Sequence, residues 1–220
     1  MTLPGLHHRG KTESDAPVHA LVLAAGLGQR FGGGKLHALY RGRPLLSHVL
    51  AVVEAAGNYG LLHGGHVVIS SGDEQASRLV GRAGLVPVVN DNPKLGLSHS
   101  LRLGLASVES QTSGGAGAAI VFLGDQPLVR LEVVEQLVTA WRGGRGGIIR
   151  PRYEAAGDVP GHPVLLSRRM WPRARFLKGD VGFSALMESS APDTVTLDVA
   201  GDNPGVDTPA DLQTLKEARR

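Results

Sequence analysis

No cysteine occurs among the 220 residues, which excludes disulfides, thiolate metal sites and cysteine nucleophiles. A cytoplasmic setting fits that absence. Charge of one sign is also scarce: 23 Lys and Arg against 20 Asp and Glu leave a formal net charge of +3, too small and too dispersed for an electrostatic footprint on nucleic acid. No nucleic-acid partner is expected. The longest apolar stretches, residues 19–25 and 116–123, fall far short of the ~20 residues that span a bilayer, so no membrane segment is expected. Residues 1–17 hold charged, polar and proline residues without a sustained apolar core, which argues against a secretory signal and predicts a mobile tail. Neither an internal repeat nor a clear linker divides the rest, and one domain over residues 18–220 is expected.

Glycine is abundant instead. Its 31 copies are about 14% of the chain, roughly twice ordinary usage, and they interleave with Val, Ile and Leu runs, so many tight turns are needed. Hydrophobic residues at 42% suffice for a core of ordinary density. Seven segments read as strands: 18–25, 66–70, 86–89, 118–123, 147–150, 163–167 and 194–197. Most are apolar throughout, the pattern of strands covered on both faces. Helical stripes lie between several of them. Leu45, Leu46, Val49, Leu50 and Val53 follow Pro44 and stop near Gly57; Leu97, Leu101 and Leu105 recur every four residues; Leu131, Val134, Leu137, Val138 and Trp141 form a third stripe. Thr208-Pro209-x-Asp211 reads as a helix start. The alternation predicts an α/β fold, a doubly wound, mostly parallel sheet with helices on both faces, whose ligands bind beyond the carboxyl ends of the strands.

The densest signal follows the first strand: Leu23-Ala24-Ala25-Gly26-Leu27-Gly28-Gln29-Arg30-Phe31-Gly32-Gly33-Gly34-Lys35. Glycines let backbone N–H groups approach a polyanion, while a guanidinium and an ammonium neutralise separate phosphoryl oxygens. The other reading is a surface turn with solvated cations. A Walker loop would need glycine at Gln29 and Ser or Thr at Leu36. A dinucleotide fingerprint would need glycine at Phe31 and an acid near Ser70 and Ser71. Both are disfavoured.

The pattern L-A-A-G-x-G-x-R-F-G-x-x-K resembles the signature of MobA-like nucleotidyltransferases, and within that group it is most similar to the molybdenum cofactor cytidylyltransferases. The resemblance continues through Asn90, Gly96-Leu97-Ser98-x-Ser100-Leu101, Leu123-Gly124-Asp125-Gln126-Pro127, Gly161-His162-Pro163, Gly179-Asp180-x-Gly182 and Asp207-Thr208-Pro209. It implies a Rossmann-like nucleotidyltransferase fold that moves a nucleoside monophosphate from a triphosphate to a phosphorylated acceptor and releases pyrophosphate. It implies a nucleotide site made of Leu23, Ala24, Ala25, Gly26, Gly28, Arg30, Lys35, Asn90, Ser98 and Ser100, with Arg30, Lys35 and Asp125 acting in the chemistry. Alanine at position 25 resembles the cytidylyl branch and points to CTP; the acceptor implied is molybdenum cofactor, with a molybdoenzyme receiving the product.

Asp125 sits one glycine beyond an apolar strand and, with the glycine loop, reads as the first ligand of Mg²⁺ bound to triphosphate; its other reading is a helix cap near Pro127. By resemblance Asp207 is the second metal carboxylate; its other reading is a cap for the helix beginning at Pro209, with Thr208 competing. Ser98 and Ser100 suit either ligand contact or capping at the start of the Leu97 helix. His162 suits either acceptor binding or a structural place at a strand start. Resemblance places Asp180 in the acceptor pocket, yet Phe183-Ser184 stand where the family commonly has Ala-Arg. The missing cation leaves the acceptor's identity open, and Arg173, Arg175 or Lys178 would have to replace it. Two rival readings are a nicotine-blue type oxidoreductase using NAD(P)H and a non-catalytic carrier of nucleotide cofactor. The transferase reading requires Arg30, Lys35, Asp125 and Asp207 to meet in one cleft.

Overall fold

The computed structural model describes residues 13–112, 115–157, 159–174, 176–177, 179, 186 and 190–218. Among these residues nine strands are interspersed with helices: β1 Val18–Ala24, β2 Leu39–Tyr40, β3 Arg43–Pro44, α1 Leu45–Asn58, β4 Gly65–Ser70, α2 Glu74–Arg82, β5 Val86–Asn90, α3 Leu97–Gln111, β6 Ala118–Leu123, α4 Leu131–Arg142, β7 Ile148–Tyr153, β8 Val164–Ser167, α5 Trp171–Ala174, β9 Thr194–Val199 and α6 Pro209–Glu217. Seven strands form one sheet in the order β5-β4-β1-β6-β8-β7-β9, while β2 and β3 make a small hairpin. Within the seven-stranded sheet pairing is parallel except where β8 runs against β6 and β7. The chain steps outward from β1 to β4 and β5, then returns to place β6 on the other side of β1. Strand order therefore reverses between β1 and β6, and the crevice beyond their carboxyl ends is where such sheets bind ligands.

β1 shows why its sequence is apolar throughout. Val18, Ala20, Val22 and Ala24 face α1 and α4 in one buried cluster, while Leu21, Leu23 and Ala25 face α3 and α5 in another. Both faces are dry, so alternation disappears. The edges behave differently. Val89 in β5 is 52% exposed, and most of β9 is only partly buried; the apolar run of β5, expected to be covered on both faces, and the alternating Thr-Val-Thr-Leu of β9 lie at the sheet's two ends. Residues 13–17, expected in the tail, pack instead: Glu13–Asp15 form a single 3-10 turn, and the Pro17 carbonyl accepts from Gly117 N at 2.8 Å. Residues 1–12 lie outside the described residues.

Gly104 is where α3 meets β1. A Cβ there would lie 2.2 Å from Leu21 Cδ1 and 3.0 Å from Leu21 Cγ, and Leu21 is fully buried. Alanine would raise helix propensity by ~1 kcal/mol, but overpacking of a filled core costs ~1–3 kcal/mol. Gly104→Ala is therefore expected to lower the urea midpoint, and a midpoint at or above wild type would show that Leu21 yields freely.

Candidate active site

The site grows from the ends of β1 and β6. Beyond β1 the chain enters the glycine loop, where Gly28 adopts φ +58° and a Cβ would stand 3.2 Å from Lys35 Cβ. A left-handed, side-chain-free residue thus lets Lys35 fold back against the start of the loop. Gly28 also presents its carbonyl to Phe31 N at 3.0 Å and Gly33 N at 3.1 Å. The loop is tied at both ends to the end of β4 and the turn that follows it. Ser70 Oγ donates to the Ala25 carbonyl at 3.0 Å, and His37, in the 3-10 turn Lys35–His37, meets the Asp73 carboxylate at 3.0 Å.

β6 contributes Asp125. Gly124 N donates to the Leu23 carbonyl at 3.0 Å, and Asp125 in turn offers its carbonyl to Val206 N at 3.0 Å. A third apolar cluster gathers Tyr40, Leu45, Val206, Leu212 and Leu215, with Phe31 packed against it. The C-terminal segment is thereby pressed beside the glycine loop, and Asp207 arrives next to Arg30 and Lys35.

Lys35 Nζ donates to Asp125 Oδ2 at 2.5 Å and to Asp207 Oδ1 at 3.1 Å; Arg30 Nη2 lies 3.0 Å from Asp207 Oδ2. The four side chains meet. Burial acts to lower the Lys35 pKa, but the charge of Asp125, hydrogen bonds to both carboxylates and the charge of Asp207 outweigh it, so the pKa is raised above its ordinary value. Neither carboxylate caps a helix. Thr208 caps α6 in a capping box with Asp211, and α4 begins at Arg130 without a side-chain cap.

These groups line a cleft of about 550 Å³, together with Leu23, Ala24, Ala25, Gly26, Gly28 and Ser100. Asn90 and Ser98 do not line it. Asn90 ends β5, is fully buried and donates Nδ2 to Ser100 Oγ at 3.0 Å, which holds Ser100 from behind. Ser98 is buried in the first turn of α3, and that helix starts at Gly96 with no side-chain cap, so neither serine caps it. His162 also lies outside the cleft lining; burial pushes its imidazole down to about 4. Asp180, Phe183, Ser184, Arg175 and Lys178 fall outside the described residues. Arg173 donates to Ser190 Oγ at 2.8 Å.

Residues 20–217 match the MobA-like NTP transferase domain. The chain belongs to that family. Among curated relatives, the bifunctional protein GlmU of Rhizorhabdus wittichii is 32% identical over 132 residues, 59% of this chain but 27% of that protein. The chain thus spans about a quarter of the length of the curated relatives it matches. Among solved structures, Rv0371c of Mycobacterium tuberculosis is 28% identical with a TM-score of 0.74, covering 92% of this chain and 98% of its own. Its manganese complex is 26% identical with a TM-score of 0.75, covering 92% and 99%.

The donor set of this MobA-like domain fits a divalent cation. Asp125 Oδ1 is buried with no hydrogen-bond partner, and two carboxylates from distant segments already share one positive charge. Among the described residues no group of three or more His, Cys, Asp or Glu gathers as a metal site. Two carboxylates, with substrate phosphates and water completing the shell, is the pattern hard cations such as Mg²⁺ accept. Ser70 and Asp73 build the site without any sequence signature, because single polar residues outside motifs carry no local signal.

Proposed function

We propose that this chain transfers CMP from CTP to a phosphorylated acceptor, the phosphate of molybdenum cofactor, and releases pyrophosphate in a divalent-metal-dependent reaction. One observation carries the reading: Arg30 and Lys35 of the glycine loop converge with Asp125 and Asp207 at the carboxyl ends of β1 and β6. The manganese complex of Rv0371c supports metal use, with Mg²⁺ proposed as the working ion. The cytidylyl choice rests on the resemblance of Ala25, and the acceptor on the order of the sequence motifs. The setting proposed is the cytoplasm, with a molybdoenzyme taking the product.

An acceptor phosphate oxygen attacks the α-phosphorus as the bond to the bridging oxygen breaks and pyrophosphate departs. Exposed loop N–H groups and Arg30 bind the triphosphate, and Lys35 neutralises charge that grows on its oxygens. Asp125 and Asp207 would hold the metal, which when bound supplies Lewis-acid stabilisation to the phosphoryl oxygens. Ser70 fixes the Ala25 carbonyl just beyond β1, which would steady the loop that receives the nucleotide. No covalent enzyme intermediate is needed.

The test is pyrophosphate release from CTP, GTP, ATP and UTP, with Mg²⁺, with and without molybdenum cofactor. Release from CTP that needs the acceptor and stops on chelation is expected. No release from any triphosphate, or dye reduction by NAD(P)H that survives chelation, would overturn the reading.

A further inference from the structure

We infer that Asn203 is a positioning residue that fixes the separation of the two site carboxylates; the inference rests on the proposed metal role of Asp125 and Asp207. Both aspartates stand on irregular backbone. Asp125 follows β6 by two residues, and Asp207 lies between the end of β9 at Val199 and the start of α6 at Pro209, so no ladder or helix sets the distance between them. Downstream, Asp207 is held by the capping box, whose Asp211 Oδ2 accepts from Asp207 N at 2.9 Å and Thr208 N at 2.7 Å. Upstream, the hold is Asn203.

Asn203 is only 7% exposed. Its Nδ2 donates to Gln126 Oε1 at 3.3 Å and to the His162 carbonyl at 3.0 Å, and Tyr153 Oη donates to the same carbonyl at 2.9 Å. Three segments are joined there: the turn after β6, the approach to β8 and the chain leaving β9. Gln126 is the neighbour of Asp125, and Val206, the neighbour of Asp207, donates to the Asp125 carbonyl. One amide and one backbone bond therefore bracket the two carboxylates. The Nδ2 group donates to two acceptors where an aspartate would present only acceptors, while Oδ1 is buried without a hydrogen-bond partner.

A group that orients metal ligands without touching the metal typically alters metal affinity by ~10–100-fold. The experiment measures Mn²⁺ binding to the full chain with CTP by electron paramagnetic resonance, alongside CTP binding in metal-free buffer. Asn203→Ala is expected to raise the Mn²⁺ concentration for half-saturation by about 10-fold, with CTP affinity without metal within about twofold of wild type. Gln126→Ala, which keeps the His162 contact, should give a smaller rise and serves if Asn203→Ala does not fold. Val199→Ala, a core truncation on the same segment, should lower thermal stability and leave Mn²⁺ binding unchanged. Wild-type Mn²⁺ affinity in Asn203→Ala, or in Gln126→Ala if that variant alone folds, would overturn the inference. So would equal weakening in Val199→Ala. Asp125→Asn separates the two failures: if it loses Mn²⁺ while Asn203→Ala does not, the positioning role alone falls. If wild type takes up no Mn²⁺ with CTP, the metal assignment falls and this inference with it.

Discussion

Replacing Lys35 by alanine is expected to lower turnover by ~10²-fold or more, the scale of losing one preorganised electrostatic partner. Its side chain is only 12% exposed and its ammonium contacts both carboxylates, so its loss does two things. It removes a half-buried positive charge that is proposed to face the triphosphate, and it leaves the two carboxylates without the cation they share. Lys35→Arg should not restore the rate, because a planar guanidinium is broader than the ammonium that the two aspartates enclose. Initial rates of pyrophosphate release at saturating triphosphate, with circular dichroism as a check on folding, decide the matter. A folded Lys35→Ala variant within threefold of wild type would remove Lys35 from the chemistry.

The second large effect belongs to Asp125. Asp125→Asn keeps the side chain's size and removes its charge, and turnover should again fall by ~10²-fold or more, with a rise in the metal concentration needed for half-maximal rate. Asp207→Asn should cost less. The Asp207 side chain is 41% exposed against 20% for Asp125, and Arg30 already shares its charge, so solvent and a second cation weaken its hold on a metal. Metal titrations of both variants give the order directly. A larger defect in Asp207→Asn would move the principal metal contact to the C-terminal segment.

How much of this was legible in the sequence follows from where each element sits. β1 and β6 end within a residue of the expected positions, because central strands covered on both faces must be apolar at every position. β5 shows the weakness of the same signal: an apolar run at the sheet edge looks like one at its centre, and only pairing tells them apart. α2 was not read from its sequence, since it buries only Ala76 and Val80; two small contacts make no stripe. The β2–β3 hairpin has two residues per strand, too few for any period. Asp207 next to Thr208 read as a cap or a ligand with equal local sense, and it took the capping box of Thr208 and Asp211 to free its carboxylate for the cleft.

By itself the sequence determined what neighbouring residues decide among themselves: buried strands, the helix stripes, and a cation-bearing glycine loop whose order of residues marks the family. Only the tertiary structure decided that Lys35 meets Asp125, 90 residues away, and Asp207, 172 residues away. Strand order sets the first meeting, by returning β6 to the side of β1. The packing of Phe31 against the cluster that holds Val206 and Leu212 sets the second, since apolar contact draws together segments whose local sequences hold no record of each other.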